Sequence, residues 1–341
     1  MSNVSFLKFI NSKQRFILFS LTIFLIISFL LAILCGSFYI SLTKLISFNL
    51  SKIEYEIFFN IRLPRVILAL FVGSALGIAG ATLQGLFRNP LADPGLIGVS
   101  AGAALGAVFA IVIIDDLLDV LFLGTFFLPL SSITGSFFTI FLLYFFTRGF
   151  GYEGITYMLL IGIALNALST VGIGILTYVS SDSELRGLTF WMMGSFGSAS
   201  WKIVIPSVFL IFFSILWLIP FSRKLDIIQL GEIEASRLGI DTKKLKLNVI
   251  LSCAFMIGAS VSISGMIGFV GLVVPHLVRL MGGVSHSYLL LGSTCLGGGL
   301  MVLADLLSRI LIKPAELPVG LVTSAIGSPF FLWLILKIKK R

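Results

Sequence analysis

The sequence predicts an all-α polytopic membrane protein with about ten transmembrane helices, and three observations point that way. Of 341 residues, 58% are hydrophobic and only 11% are charged, against roughly a quarter charged in a soluble domain. Apolar runs of about 20 residues, the length that crosses a bilayer core, recur along the whole chain. Lys and Arg collect at both ends and in alternate loops, as the positive-inside rule requires.

The runs fall near residues 16–40, 66–87, 95–114, 121–146, 155–179, 200–221, 247–268, 288–312 and 317–336, with a shorter piece at 269–282. Lys8, Lys13 and Arg15 precede the first run, and Lys337, Lys339, Lys340 and Arg341 follow the last. Both termini are therefore expected in the cytoplasm, which needs an even number of spans. Counting 269–282 as a short returning helix satisfies that. Arg88, Arg148 and the loop 223–246 then fall inside, while Asp115, Asp116, Asp119, Asp182 and Glu184 fall outside. The first external loop is the exception, because Lys44, Lys52, Arg62 and Arg65 outnumber Glu54 and Glu56. The first run is too long for a secretory leader and lacks a small residue before Cys35, so it reads as a retained span. The net charge of +9 mostly reflects this cytoplasmic bias and does not call for nucleic acid. No stretch resembles a linker, and residues 1–341 read as one transmembrane domain.

Within the spans, glycine recurs at four-residue spacing, as in Gly73/Gly77 and Gly98/Gly102/Gly106. That spacing lets helix backbones approach closely. Gly73, Gly80 and Pro90 match Gly258, Gly265 and Pro275 at constant offset, which suggests an inverted repeat of the transporter kind. Cys35, Cys253 and Cys295 lie in apolar runs without CxxC spacing, so neither a disulfide framework nor a metal site is expected. His276 and His286 flank a loop; interfacial placement suits them better than ligation of metal or haem. Phe190, Trp191, Trp201 and Trp217 read as interfacial anchors.

The chain carries no GxxxxGK[ST] phosphate loop, HExxH or GxSxG motif, and reads as no enzyme. Acidic residues at mid-membrane, usual in ion-coupled carriers, are lacking in the runs. Asp305 and Arg309, four residues apart near a helix end, can pair. If the chain moves a solute, the energy comes from a partner; an ion-coupled secondary transporter is the remote alternative. Three loop motifs stand out: Arg62-Leu63-Pro64-Arg65, a cytoplasmic turn Arg88–Gly95 with two prolines, and a helix-forming run between Gly231 and Gly239.

These motifs, with QGLFRNPLADPGLIGVSAGA (84–103), LGEIEASRLGI (230–240), GMIGFVGLVVPHLVRL (265–280), ADLLSR (304–309) and ELPVGLVTSAIGSPFFLWL (316–334), resemble the FecCD-type permeases. Those are membrane subunits of ABC importers for iron–siderophore complexes, haem and vitamin B12. The resemblance covers the chain from about residue 60 onward. It implies a vitamin B12 permease-like fold in the inner membrane, a homodimer with the pathway on its two-fold axis, and two cytoplasmic ATPase subunits. ATP and Mg would bind those subunits, and no cofactor or metal would bind this chain. The helix at 230–239 corresponds to the coupling helix, through Gly231, Glu232, Ala235, Leu238 and Gly239. Arg62, Arg65 and Arg309 occupy positions that dock a periplasmic binding protein. Asn89 and Leu91, with Ile155 and Thr156, match the cytoplasmic gate, although Ile155 departs from the short polar residues of relatives. The fifth and tenth spans would line the pathway. The stretch 181–197 looks closest to haemin permeases, so haem is the favoured cargo, with an iron(III)-siderophore or vitamin B12 as alternatives.

A green fluorescent protein fused after Arg341 should fluoresce, and alkaline phosphatase fused there should stay inactive. The opposite pattern would invert the topology.

Overall fold

A computed structural model describes residues 10–36, 38, 41–47, 49–113, 126–147 and 154–339. All regular structure among them is helical. We number the helices α1 (Ser12–Leu34), α2 (Leu63–Phe87), α3 (Val99–Ile113), α4 (Phe127–Thr147), α5 (Gly154–Val179), α6 (Asp182–Met192) and α7 (Trp201–Leu218). The remainder are α8 (Ser222–Ile228), α9 (Glu232–Arg237), α10 (Thr242–Ser264), α11 (Val270–Gly282), α12 (His286–Ile310) and α13 (Val319–Lys339). Seven helices are long and apolar enough to cross a membrane, and α3, α11 and α13 are shorter apolar ones. Together they match the ten expected spans. Lys8, Asp115, Asp116, Asp119, Arg148, Lys340 and Arg341, used in the topology reading, lie outside the described residues.

α2 is the central post. Every residue from Val72 to Phe87 is buried, because α12, α11, α10 and α7 surround it. The glycine spacing makes this possible. A Cβ on Gly73 would overlap the Gly297 carbonyl of α12, and one on Gly80 would overlap the Gly271 carbonyl of α11. In lipid, where apolar burial does not separate helix from helix, such close contact supplies much of the association. The outer helices are the reverse: α1 and α5 bury only about a fifth of their apolar windows (22% each) and show the rest to lipid or partners.

Local chemistry sets the helix ends. Asn11 caps α1 in a capping box with Gln14, and Gln14 Nε2 donates to the Gly282 carbonyl at 2.8 Å, pinning the start of α1 to the end of α11. At the opposite end, a π-helical stretch, Glu56–Arg62, leads into α2, and Trp201 Nε1 donates to the Phe59 carbonyl at 2.8 Å. The Trp201 indole is thus held by protein backbone.

Two expectations change. The matched trios have different settings: Gly80 is mid-helix in α2, whereas Gly265 has φ +67° and ends α10. Pro90 lies in a turn and Pro275 inside α11. The constant offset therefore marks no equivalent structure in these segments. The Arg88–Gly95 turn is also more than a surface connection. Arg88 closes α2 in a left-handed conformation (φ 52°), and the chain then climbs back until Pro94 packs where a Gly271 Cβ would sit, 2.7 Å from it. Gly271 lies beside Leu76 and Gly80, well inside α2. The motif that reads as a loop is thus partly re-entrant, tolerated because it is buried in protein.

Replacing Gly80 by Val should lower the stability of the detergent-purified chain by about 1–3 kcal/mol or more through overpacking, seen as a reduced thermal midpoint.

Candidate functional site

The basic loop folds into α8 and α9, and its two flanking glycines take conformations that other residues avoid: φ is +115° at Gly231 and +82° at Gly239. Between them the helix has an inner and an outer side. Glu232 is buried, and its Oε2 pairs with the buried Lys246 of α10 at 2.5 Å. Ala235 is fully buried, and its carbonyl accepts the Ile240 N–H at 3.0 Å. Outward point Leu230, Ile233 and Leu238, which are 65%, 48% and 62% exposed, beside an exposed Glu234–Arg237 ion pair. The five sequence-predicted contact residues therefore divide. Glu232 and Ala235 are not surface groups; they hold the helix against the membrane domain. Leu238 and Gly239 face out, and Leu230 and Ile233 join them. The signal for those two was large apolar side chains in an otherwise polar loop.

Two contacts tie this loop to the helices. Asp226 of α8 accepts both the backbone N–H of His286 at 2.8 Å and its ring Nδ1 at 2.7 Å, at the first turn of α12. Gln229 Nε2 donates to the Gly85 carbonyl of α2 at 2.6 Å. His286 is thus a buried structural link rather than a free interfacial residue. Among the described residues no group of three His, Cys, Asp or Glu could hold a metal.

The gate positions lie at the same end. Asn89 Oδ1 accepts the Leu91 N–H at 2.9 Å, an Asx turn that presents Leu91, 44% exposed. Leu91 and Pro90 line a small recess together with Leu272, Val273 and His276 of α11 and Phe330 and Phe331 of α13. Neither ring nitrogen of His276 has a hydrogen-bond partner among the described residues. Ile155 and Thr156 fall in the first turn of α5, but their side chains lie outside the described residues.

At the opposite end the three arginines depart from expectation. They are not exposed: Arg62, Arg65 and Arg309 are 4%, 6% and 5% accessible. Arg62 Nη1 and Nη2 each donate at 2.7 Å, to the Ile33 and Phe38 carbonyls respectively. Arg65 Nε donates to Asp305 Oδ1 at 2.9 Å and its Nη1 to Glu316 Oε2 at 2.7 Å. Arg309 Nε lies 3.1 Å from Asp305 Oδ2 as an ion pair without hydrogen-bond geometry, and Nη2 donates to the Ala32 carbonyl. The expected Asp305–Arg309 pairing is present. Burial follows from cost: a guanidinium among apolar helices must be paired and hydrogen-bonded, so the chain supplies Asp305, Glu316 and the open carbonyls at the end of α1. Glu316, 43% exposed at its side chain, was missed because no helical register links it to Arg65.

Between these ends lies a cavity of about 430 Å³. Asp93, Met192, Met193, Met266, Ser260 and Ser324 are among the residues lining it. Asp93 was also missed, because in sequence it belongs to a turn.

A bundle of ten apolar helices, with a buttressed, outward-facing helix in one loop, defines a polytopic membrane protein. The chain belongs to the FecCD transport family, whose pattern it matches over residues 24–337, and is the permease of an ABC importer. It is 42% identical to the haemin transport system permease protein of Yersinia pestis over 96% of this chain and 98% of that protein. To the vitamin B12 import system permease protein of Serratia proteamaculans it is 38% identical over 82% of each. An inward-facing structure of a metal-chelate type ABC transporter superposes with a TM-score of 0.84 at 33% identity, over 95% of this chain and 99% of that one.

Replacing Asp305 by Ala should destabilise the protein by about 3–5 kcal/mol, since two buried guanidinium groups lose their shared carboxylate. Replacing exposed Glu234 by Ala should cost under about 1 kcal/mol. Thermal unfolding in one detergent compares the two.

Proposed function

We propose that this chain carries an iron-containing chelate, haem foremost, across the inner membrane as a homodimer driven by two cytoplasmic ATPases. The observation that carries the reading is the outer side of α9. Ile233 on α9 and Leu230 and Leu238 on either side of it are exposed apolar side chains, on a loop that Glu232–Lys246, Gln229–Gly85 and Asp226–His286 tie to α10, α2 and α12. Exposed apolar side chains beside charge suit a protein groove better than water, and the short, buried Glu232–Lys246 pair couples α9 to α10. Pressure on α9 reaches the end of α2, where Asn89 and Leu91 form the gate, and Ile155 and Thr156 complete it from α5. Both termini lie in the cytoplasm with α9.

What supports haem over vitamin B12 or a siderophore is the higher identity and fuller coverage of the Yersinia relative. For binding-protein docking, Arg62, Arg65 and Arg309 act beneath the surface. Three guanidinium groups face two carboxylates, so the excess positive charge steers an acidic partner without exposed side chains.

Converting Ile233 and Leu238 together to Glu should abolish co-purification of the ATPase and stop uptake of haemin in vesicles, leaving the thermal midpoint of the permease unchanged. Retained ATPase association would remove the coupling assignment. Uptake of vitamin B12 or a ferric siderophore instead of haemin would redirect the cargo.

A further inference from the structure

Arg65 holds two carboxylates at once, and they differ in kind. Asp305 Oδ1 on α12 lies 2.9 Å from its Nε, and Glu316 Oε2, in the loop that enters α13, lies 2.7 Å from its Nη1. Asp305 is fully buried and is shared with Arg309, so removing it would strand two charges in the interior. Glu316 keeps 43% of its side chain exposed. An ion pair open to water on one side is weak and is screened by salt. Glu316 is therefore the one of these two ligands that Arg65 can exchange. The same side chain holds the outer start of α13. Leu317, its neighbour, donates its N–H to the Ser308 carbonyl of α12 at 3.0 Å. Further on, a Cβ on Gly320 would overlap the Met193 carbonyl, in the segment that follows α6. Glu316 Oε2 faces that segment too, 3.9 Å from where a Gly197 Cβ would stand. One exposed carboxylate thus fastens the entry of α13 to α2, beside the segment after α6.

We propose that Glu316 is an internal substitute for an acidic side chain of the protein that docks on this face. It occupies Arg65 while the face is free; docking replaces it with the partner's carboxylate and releases the loop 311–318, and with it the start of α13. The proposal rests on the docking reading above and adds the residue that answers the partner's arrival. Arg65 is only 6% accessible, so an incoming carboxylate gains it by taking the place of its exposed ligand. One carboxylate succeeds another, and the buried guanidinium is never left without a counter-charge, the state that is costly.

Glu316→Gln tests this, because it keeps the shape and removes the charge. The assembled permease in lipid nanodiscs is followed by hydrogen exchange over 311–321, where the Leu317 amide reports the loop. A short poly-glutamate peptide serves as the acidic probe, with poly-lysine as control. On the unaltered protein, poly-glutamate should speed exchange about fivefold, the ratio that a surface ion pair of the stronger kind represents, and poly-lysine should not. In Glu316→Gln, exchange should be fast from the outset, and poly-glutamate should bind several-fold tighter because Arg65 is uncontested. Glu56→Gln removes the same charge from an exposed residue bonded to Asn60; exchange should stay slow and binding should tighten far less. Equal tightening in the two variants, or exchange that poly-glutamate does not move, would overturn the proposal and leave the docking reading intact. Poly-glutamate that bound none of the three forms would overturn both. Should Glu316→Gln not assemble, sodium chloride decides on the unaltered chain. Rising salt should speed exchange over 311–321 while the α2 amides stay protected, and slow exchange at every concentration would refute a replaceable Glu316.

Discussion

The structure depends on how closely α2 can be approached. A helix buried along most of its length in a membrane protein cannot rely on the hydrophobic effect to hold its neighbours, since lipid is as apolar as they are. Glycine-to-carbonyl contact at Gly73 with Gly297 and at Gly80 with Gly271 brings α12 and α11 into backbone contact with it. The two ends of that helix then carry the buried arginine network and the contact with the α8–α9 loop. Arg65 sits in its first turn, and Gln84, Gly85 and Arg88 stand at its last.

The two ends differ in how they treat charge. At the arginine end, charge is buried and answered by charge: Asp305 lies between Arg65 and Arg309, and Glu316 extends the network toward the surface. At the α9 end, the buried Glu232–Lys246 pair holds a helix whose outer side stays exposed. The first arrangement projects a field without offering side chains, and the second offers a surface without much net charge.

Between them, the re-entrant turn connects the end of α2 with the cavity within a few residues. Asn89 and Leu91 form the turn at the end of α2, and Asp93 lines the cavity behind it. A displacement of the end of α2 therefore changes both, because no flexible linker separates them.

Sequence alone determined the helical class, the approximate number of spans, the special status of the 230–239 helix and the pairing of Asp305 with Arg309. These follow from local properties: apolar run length, charge sign and the spacing of residues on one helix. Tertiary structure decided which face each functional side chain takes. Glu232 and Ala235 turned inward because Lys246 and the end of α10 lie behind them, a neighbour relation invisible in the loop itself. Arg62, Arg65 and Arg309 were buried because carbonyls of α1 and carboxylates from α12 and the following loop converge on them across long sequence separations. Asp93 reads as part of a surface turn, yet close packing of Pro94 on Gly271 draws it into the protein. Linear order encodes which residues can enter a bilayer, whereas three-dimensional packing selects which polar groups are answered inside it.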